Sequence, residues 1–313
     1  VTDASVVLGF LDPNNFLGGR ESLDKEAAEA AVDKLAAKLS VSTAEAAEGV
    51  HRVINTQMAE GIRLVSVRRG VDPRKFALLS FGGAAGIHIT EIARQLEVGR
   101  VVVPRTAAVL SAWGMLATDL RYEVSRTHIG DAGSLEASSV CQIFREMEQE
   151  GKARLASAFD GQISIKSSAD MRYGEQIYEI DVSLDGINFD RKDLMQEISN
   201  RFHARHNELF TYSLPDQEAV LVNGRLAVIG ELPRLPEEPK KISDTKVGQS
   251  KQRNIYLSGW QDVTVYNLES LSPGATVSGP AIIESATTTI VLRKGDDAVI
   301  TSNLWLDISV ERQ

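Results

Sequence analysis

The chain has 313 residues, of which 43% are hydrophobic and 25% are charged, and its net charge at pH 7 is −9. These proportions are ordinary for a folded protein and exclude collagen-like, low-complexity and largely disordered classes, while the length predicts two domains or three. The acidic balance argues against non-specific binding to nucleic acid or to an anionic membrane surface.

The chain has a single cysteine, Cys141. One thiol excludes an intrachain disulfide and a cysteine-based zinc site. No apolar run is long enough for a transmembrane span, and no signal peptide opens the chain. We therefore expect a cytoplasmic protein without a membrane partner. Because the first residue is Val1 and the opening resembles the middle of a sequence, we expect a fragment or a processed product.

Helices are predicted for the beginning of the chain. Apolar spacing near 3.6 residues predicts one helix over about 24–39 and a longer one over about 44–69. Ser42 and Glu45 resemble a capping box at the start of the longer helix, whose predicted apolar side includes Val53 and Val65.

Two short apolar runs, 76–81 and 100–104, predict buried strands, each followed by a predicted helix over 87–96 and 107–116. The order strand–helix–strand–helix is typical of a parallel βαβ unit in a layered α/β domain.

The rest of the chain mixes helices and strands. Prolines and charges mark 231–250 as a linker, and the short strands after it suggest a small barrel or sandwich-like unit. The elements predicted before the linker are helices over 134–159 and 190–209 and strands over 163–173, 176–184 and 218–229.

The sharpest local feature is the glycine-rich turn that contains Gly82, Gly83, Ala84 and Gly86, between a predicted strand and a predicted helix. Adjacent glycines let a ligand approach the backbone, and a helix N-terminus offers free N–H groups. These two features together are typical of a nucleotide or phosphate site. The spacing matches neither a P-loop nor the dinucleotide fingerprint. The alternative interpretation is a tight turn whose glycines serve packing alone.

His88 follows in the first turn of that helix. It is a candidate for a polar contact to a nucleotide or substrate, and the alternative is a histidine bonded to a neighbour. His203 and His206 share a helix face, either as a metal pair or as a solvated or packed face. We predict no metal site, since no further ligand stands at suitable spacing.

Several segments in order resemble the hydantoinase A / 5-oxoprolinase family, whose corresponding motifs read TDAN, LGRL, FLGG, RGxDPR, FGGAGPxHA, VLSAxG, RYxGQ and GPAIIExxxTT. The segments that carry the resemblance are 2–4, 8–11, 16–19, 55–59, 68–74, 81–88, 109–114, 172–176 and 279–289. Gly86 stands where the family usually has proline, and residues 107 and 108 are alanines where the family usually has Pro-Gly.

The resemblance implies a fold of the α/β class. Residues 1–122 would form the second lobe of an actin-like ATPase (ribonuclease H-like) domain, and 123–313 an α+β C-terminal region with a small β unit. It also implies that Gly82, Gly83, Ala84, Gly86 and His88 contribute the adenosine side of a site for ATP and Mg²⁺.

The implied function is that of the C-terminal half of an ATP-dependent cyclic-amide hydrolase of the hydantoinase or 5-oxoprolinase type. The implied partners are a missing N-terminal half, a B-type hydantoinase subunit and a cyclic-amide substrate. Because the phosphate-binding DxGGT segment of the family is absent, we expect this chain alone to be inactive towards ATP. The alternatives are a subunit of an ATP-dependent ketone carboxylase of the acetone or acetophenone type and a non-catalytic interaction module.

Overall fold

A computed structural model describes residues 1–67, 70–174, 176–236 and 250–311. The chain divides into two compact units, one made of Val1–Gly114 with Pro236–Gln313 and the other of Met115–Leu235. The fold is mixed α/β, and the strands of the described residues form three sheets. The two compact units therefore differ from the predicted domains 1–122 and 123–313. The C-terminal residues from 236 onward belong to the first unit, not to the second.

Two helices of the first unit begin at side-chain caps, and the sequence predicts the one at Ser42. The Asp24 side chain accepts a hydrogen bond from the Ala27 N–H at 2.9 Å, and Ser42 and Glu45 form a reciprocal capping box at 2.8 and 3.2 Å. The helices are α1 Thr2–Val7, α2 Lys25–Leu39, α3 Thr43–Val67, α4 Ala85–Gln95 and α5 Leu110–Ala117.

The predicted apolar side of α3 is confirmed in part. Val50, Met58 and Ile62 pack against the hydrophobic cores of the unit. Val53 and Val65 are more than half exposed. Small alanines and two polar residues, His51 and Asn55, are the buried residues of the helix.

The first sheet joins the predicted βαβ unit to the C-terminal strands. β1 (Leu78–Leu79) and β2 (Arg100–Val103) pair in parallel, with α4 between them in sequence. The remaining strands are antiparallel and give the order β1-β2-β13-β12-β9. These are β9 Thr276–Ser278, β12 Asp297–Ile300 and β13 Leu306–Ser309.

A second sheet of the same unit has the order β11-β10-β8-β7. Its strands are β7 Ser250–Tyr256, β8 Trp260–Asn267, β10 Ala281–Glu284 and β11 Thr289–Leu292. The C-terminal strands therefore do not form the separate small β unit that was predicted. β9, β12 and β13 join the sheet of β1 and β2, and the other four form a second sheet in the same compact unit. The first unit has two hydrophobic cores, and helix α4 packs against both. Ile87 lies in one core, and Ile89 and Ile92 lie in the other.

The predicted strand over 76–81 is shorter and more exposed than expected. Only Leu78 and Leu79 pair as a strand, and β1 lies at the edge of its sheet. Phe76 is 60%, Leu79 50% and Phe81 53% exposed. An apolar parallel edge strand left open in this way is unusual, since parallel strands are normally covered.

The second unit is an antiparallel sheet of order β3-β6-β4-β5 with two helices. Phe144 and Met147 of α6 and Ile198 and Phe202 of α7 are fully or almost fully buried in its core, and Cys141 is also buried. The elements are β3 Leu120–Asp131, α6 Ala137–Ala156, β4 Ile163–Tyr173, β5 Ile180–Ser183, α7 Leu194–Phe210 and β6 Ala219–Gly230.

Among the described residues, no helix has the length and apolar character needed to cross a membrane. The predicted linker over 231–250 falls largely on 237–249, which lies outside the described residues.

Candidate functional site

The glycine-rich turn links β1 to α4. Gly82 has a φ of +97°, and a Cβ added there would meet nothing within 4 Å. Its N–H donates to the carbonyl of Ala107 at 2.7 Å, which fixes the turn to the segment after β2. Glycine at this position therefore serves the backbone conformation, since other residues rarely adopt this φ.

Two further glycines bring the turn against the segment between β10 and β11. A Cβ on Gly83 would lie 2.9 Å from the Thr287 carbonyl oxygen, and one on Gly86 would lie 2.5 Å from that of Thr289. The hydroxyl of Thr288 donates to the Gly83 carbonyl at 3.2 Å. The packing interpretation thus describes Gly86, which is buried, while Gly83 remains exposed on its other side.

Gly83 and Ala84 open onto a cavity of about 300 Å³ in the first unit. Its volume is at the lower end of the range of small-molecule sites. Ile87 continues the same wall, and apolar side chains from the loop after α1 face it. Those are Leu11, Phe16 and Leu17, and the β10–β11 segment closes the cavity with residues 284–289.

Charged side chains meet at one end of this cavity. Arg253 contacts Glu284 at 2.7 Å and Asp12 at 3.3 Å, and Lys251 contacts both carboxylates at 3.1 and 2.9 Å. Burial raises the pKa of Asp12, but the hydrogen bond and charge of Lys251 outweigh it and hold that pKa below its ordinary value. Two cations thus balance two anions, which leaves this end of the cavity neutral overall.

His88 does not line this cavity. It is 5% exposed, its Nδ1 lies 2.7 Å from Asn55 Oδ1, and its ring stacks on that of His51 with centroids 4.8 Å apart. Burial, followed by the nearby Arg293 charge, lowers the pKa of His88 to about 4, so the imidazole is neutral at pH 7. The structure therefore places His88 as a histidine bonded to neighbours.

His203 and His206 have separate partners within the second unit. The Tyr173 hydroxyl lies 2.8 Å from His203 Nδ1, while His206 contacts the Tyr212 carbonyl at 2.8 Å and the Gln176 amide at 3.1 Å. They belong to a packed aromatic cluster. Over the described ranges, no group of three His, Cys, Asp or Glu side chains is arranged to hold a metal ion.

Thr2 lines the cavity beside Gly83, whereas Asp3 is exposed and does not line it. His51 was not predicted from the sequence as a site residue, although it lines a second cavity. Its spacing of four residues from Asn55 on one helix was the pattern that could have indicated it.

Comparisons with known proteins agree with the motif pattern. A family described as hydantoinase/oxoprolinase matches residues 1–124, and one described as the hydantoinase/oxoprolinase C-terminal domain matches residues 132–308. The alpha subunit of a caprolactamase from Pseudomonas jessenii is 34% identical over 307 residues, covering 94% of this chain and 44% of the relative. A 5-oxoprolinase from Arabidopsis thaliana is 28% identical, covering 99% of this chain and 26% of the relative.

Solved structures give the same picture. The crystal structure of the ATP-dependent caprolactamase from Pseudomonas jessenii matches with a TM-score of 0.74 and 32% identity, covering 99% of this chain and 46% of that one. The nucleotide-free structure of an acetone carboxylase that performs ATP-dependent carboxylation matches with a TM-score of 0.80 at 23% identity, covering 98% and 46%. The chain therefore spans about half the length of these proteins or less.

Proposed function

Because the chain belongs to the hydantoinase/oxoprolinase family, we propose that it is part of an ATP-dependent cyclic-amide hydrolase and contributes the adenosine side of the ATP site. The observation that carries this proposal is the turn that follows β1, where exposed Gly83 and Ala84 line an apolar cavity. The proposal includes an actin-like ATPase lobe, in keeping with the family and with the parallel β1-α4-β2 unit.

The residues at the turn fit a nucleoside. Within the described residues, the N–H groups of Gly83, Ala84 and Ala85 have no backbone acceptor, because they stand at the start of α4. The side chains of Ile87, Leu11 and Phe16 give the cavity an apolar interior suited to a planar base. Gly82, Gly83 and Ala84 would hold the nucleoside. Gly86 would position the turn through its close packing against β11, and His88 would act only through the packing of α4.

ATP, when bound, would supply a phosphoryl group to the oxygen of a cyclic amide, which makes the ring carbonyl carbon a better electrophile for water, and Mg²⁺ would offset the phosphate charge. This chain's own contribution is to orient the nucleoside and to exclude water from the base. No residue of the chain is assigned to Mg²⁺. The 32–34% identity to a caprolactamase favours a cyclic amide over the ketone of the carboxylases.

We further propose that the exposed edge of β1 is covered by other polypeptide. Leu79 of β1 and the flanking residues Phe76 and Phe81 are exposed, and within the described residues β1 pairs only with β2. The relatives contain more than this chain matches, and two carry subunit names, alpha for the caprolactamase and beta for an acetone carboxylase from Xanthobacter autotrophicus. An N-terminal half of the same protein, together with a B-type subunit, would supply that cover.

The experiment is a turnover assay of the complete gene product with a B-type partner. ATP hydrolysis would be measured with hydantoin, 5-oxoproline or a lactam, and with acetone plus bicarbonate as the comparison. We expect a cyclic amide to stimulate ATP hydrolysis and to be opened in equal amount. Stimulation by the ketone alone, or by none of these compounds, would overturn the proposal.

A further inference from the structure

A second cavity of about 210 Å³ lies in the first unit, apart from the glycine-rich turn. Leu8 and Phe10, which are 1% and 2% exposed, provide apolar walls, and His51 and Asn55 of α3 provide polar ones. Its volume is below that of drug-sized sites, so the cavity suits a small compact molecule.

The hydrogen-bond network of His51 fixes which ring nitrogen carries the proton. The Ser5 hydroxyl donates to the Val1 carbonyl at 3.1 Å, so its oxygen is left to accept from His51 Nε2 at 2.9 Å. Nε2 therefore bears the hydrogen, and Nδ1 carries the lone pair. Nδ1 is buried without a hydrogen-bond partner among the described residues. Burial, with the charges of His88 and Arg293, lowers the pKa of His51 to about 3, which keeps this acceptor available at neutral pH.

Asn55 places a donor next to this acceptor. Its Oδ1 accepts from His88 Nδ1 at 2.7 Å, while its Nδ2 group makes no hydrogen bond within the described ranges. Asn55 is only 2% exposed and lines the same cavity as His51. Four residues apart on a helix, the two side chains lie on one face. The cavity thus offers an unfilled acceptor and an unfilled donor on neighbouring turns.

The charges around the cavity balance. Arg293 lies 3.2 Å from Glu91, and Glu48 accepts from the Ser258 N–H at 2.8 Å while Arg52 lines the same wall. The charged side chains of the lining, two cations and two carboxylates, sum to zero. A neutral ligand with one N–H donor and one carbonyl acceptor matches the lining.

We propose that this cavity binds the ring of a cyclic amide, with the ring N–H donating to His51 Nδ1 and the ring carbonyl accepting from Asn55 Nδ2. In a small lactam the amide bond is held cis, so its N–H and C=O lie on the same edge and reach two neighbouring groups together. An open-chain secondary amide is trans and presents them on opposite edges. The assignment of a substrate role rests on the proposed function, and it adds a preference for cis amides over ketones, which have no N–H.

The test is binding of 2-piperidone to the chain in the absence of nucleotide. Saturation-transfer NMR and calorimetry measure this binding. N-methyl-2-piperidone, which lacks the N–H, and trans N-methylacetamide are the comparison ligands. Because a buried acceptor left unpaired is costly, we expect 2-piperidone to bind at least about tenfold more tightly than its N-methyl form. We expect His51→Phe, which keeps an aromatic ring beside Phe10, to bring the two ligands within about twofold. His203→Phe, the same change at a histidine that does not line this cavity, is the matched control and should retain the preference.

No saturable binding of 2-piperidone, equal binding of the three ligands, or a preference that survives His51→Phe would overturn the inference. If His51→Phe does not fold, the ¹⁵N resonance of His51 Nδ1 in the unmodified chain decides, since it should shift with 2-piperidone and not with the N-methyl form. The mixture contains no ATP. A failure of the turnover assay therefore leaves this result intact, and absence of lactam binding does not by itself contradict ATP-dependent turnover.

Discussion

Gly86 in α4 and Thr289 in β11 approach so closely that a methyl group on Gly86 would lie 2.5 Å from the Thr289 carbonyl oxygen. The same methyl group would lie 2.9 Å from a side-chain carbon of Ile290. Both obstacles belong to a buried strand, so neither can move aside cheaply. This contact sets the position of the first turn of α4 and, with it, the direction in which Gly83 and Ala84 face.

Gly86→Ala is expected to destabilise the first unit. Overpacking of a buried contact costs about 1–3 kcal/mol in the free energy of unfolding. Gly61→Ala is the matched control, because Gly61 is an exposed residue inside α3 with nothing within 4 Å of an added Cβ. That change should raise stability by about 0.5–1 kcal/mol. Urea unfolding followed by tryptophan fluorescence measures both, since Trp113, Trp260 and Trp305 all lie in the first unit. A Gly86→Ala protein as stable as the parent would contradict the packing role.

Ala84→Trp is expected to block the cavity beside the glycine-rich turn. Ala84 is exposed and lines this cavity, so a large side chain can fill the space without displacing buried groups. We expect the affinity of the complete protein for ATP to fall by at least about tenfold, with little change in the urea midpoint. Ala27→Trp, at an exposed alanine in the first turn of α2, is the control. An unchanged Kd for ATP in Ala84→Trp would remove the cavity from the nucleotide site.

Elements that depend on local pattern could be predicted from the sequence. Strand 163–173 matches Ile163–Tyr173, and the capped helices begin at Asp24 and Ser42 as expected. The partners of the C-terminal strands could not, because β13 pairs with β2 across about two hundred residues of chain. Such pairing depends on tertiary contacts, which no local periodicity encodes.

The candidate site shows the same division. The turn at Gly82 and Gly83 could be predicted because φ and backbone access are local properties. The wall formed by residues 284–289 could not, since it comes from a distant part of the chain. His51 was missed because helix periodicity ranks apolar residues, whereas the buried face of α3 contains small and polar ones.

Stability of the first unit is expected to fall as the pH is lowered from about 6.5. Burial lowers the pKa of His51 to about 3 and that of His88 to about 4, against an ordinary value of 6.5. Between these values the unfolded chain binds more protons than the folded one, so each histidine removes up to about 1.4 kcal/mol of stability per pH unit. Urea midpoints between pH 7 and 4 should show this slope, and His51→Phe should reduce it. NMR titration that gave both rings pKa values of 6 or above would contradict it.

Arg94 is expected to contribute more to stability than a similar pair at the surface. It contacts Asp296 at 2.5 Å, with side chains 9% and 0% exposed, whereas Arg100 and Asp307 form a pair at 2.8 Å with 61% and 32% exposed. Arg94→Met removes the side chain that pairs with the buried Asp296 carboxylate, which then keeps the Arg293 N–H at 2.7 Å, and should cost about 3–5 kcal/mol. Arg100→Met should cost about 0–1 kcal/mol. Equal urea midpoints for the two variants would show that the buried ion pair contributes no more to the free energy of unfolding than the surface pair.

The most direct measurement is a crystal structure of the complete protein with a non-hydrolysable ATP analogue. We expect the nucleoside to lie against the backbone of Gly82, Gly83 and Ala84, with its base in the cavity beside Ile87. An analogue bound elsewhere, or a cavity filled by protein side chains, would contradict the proposed site.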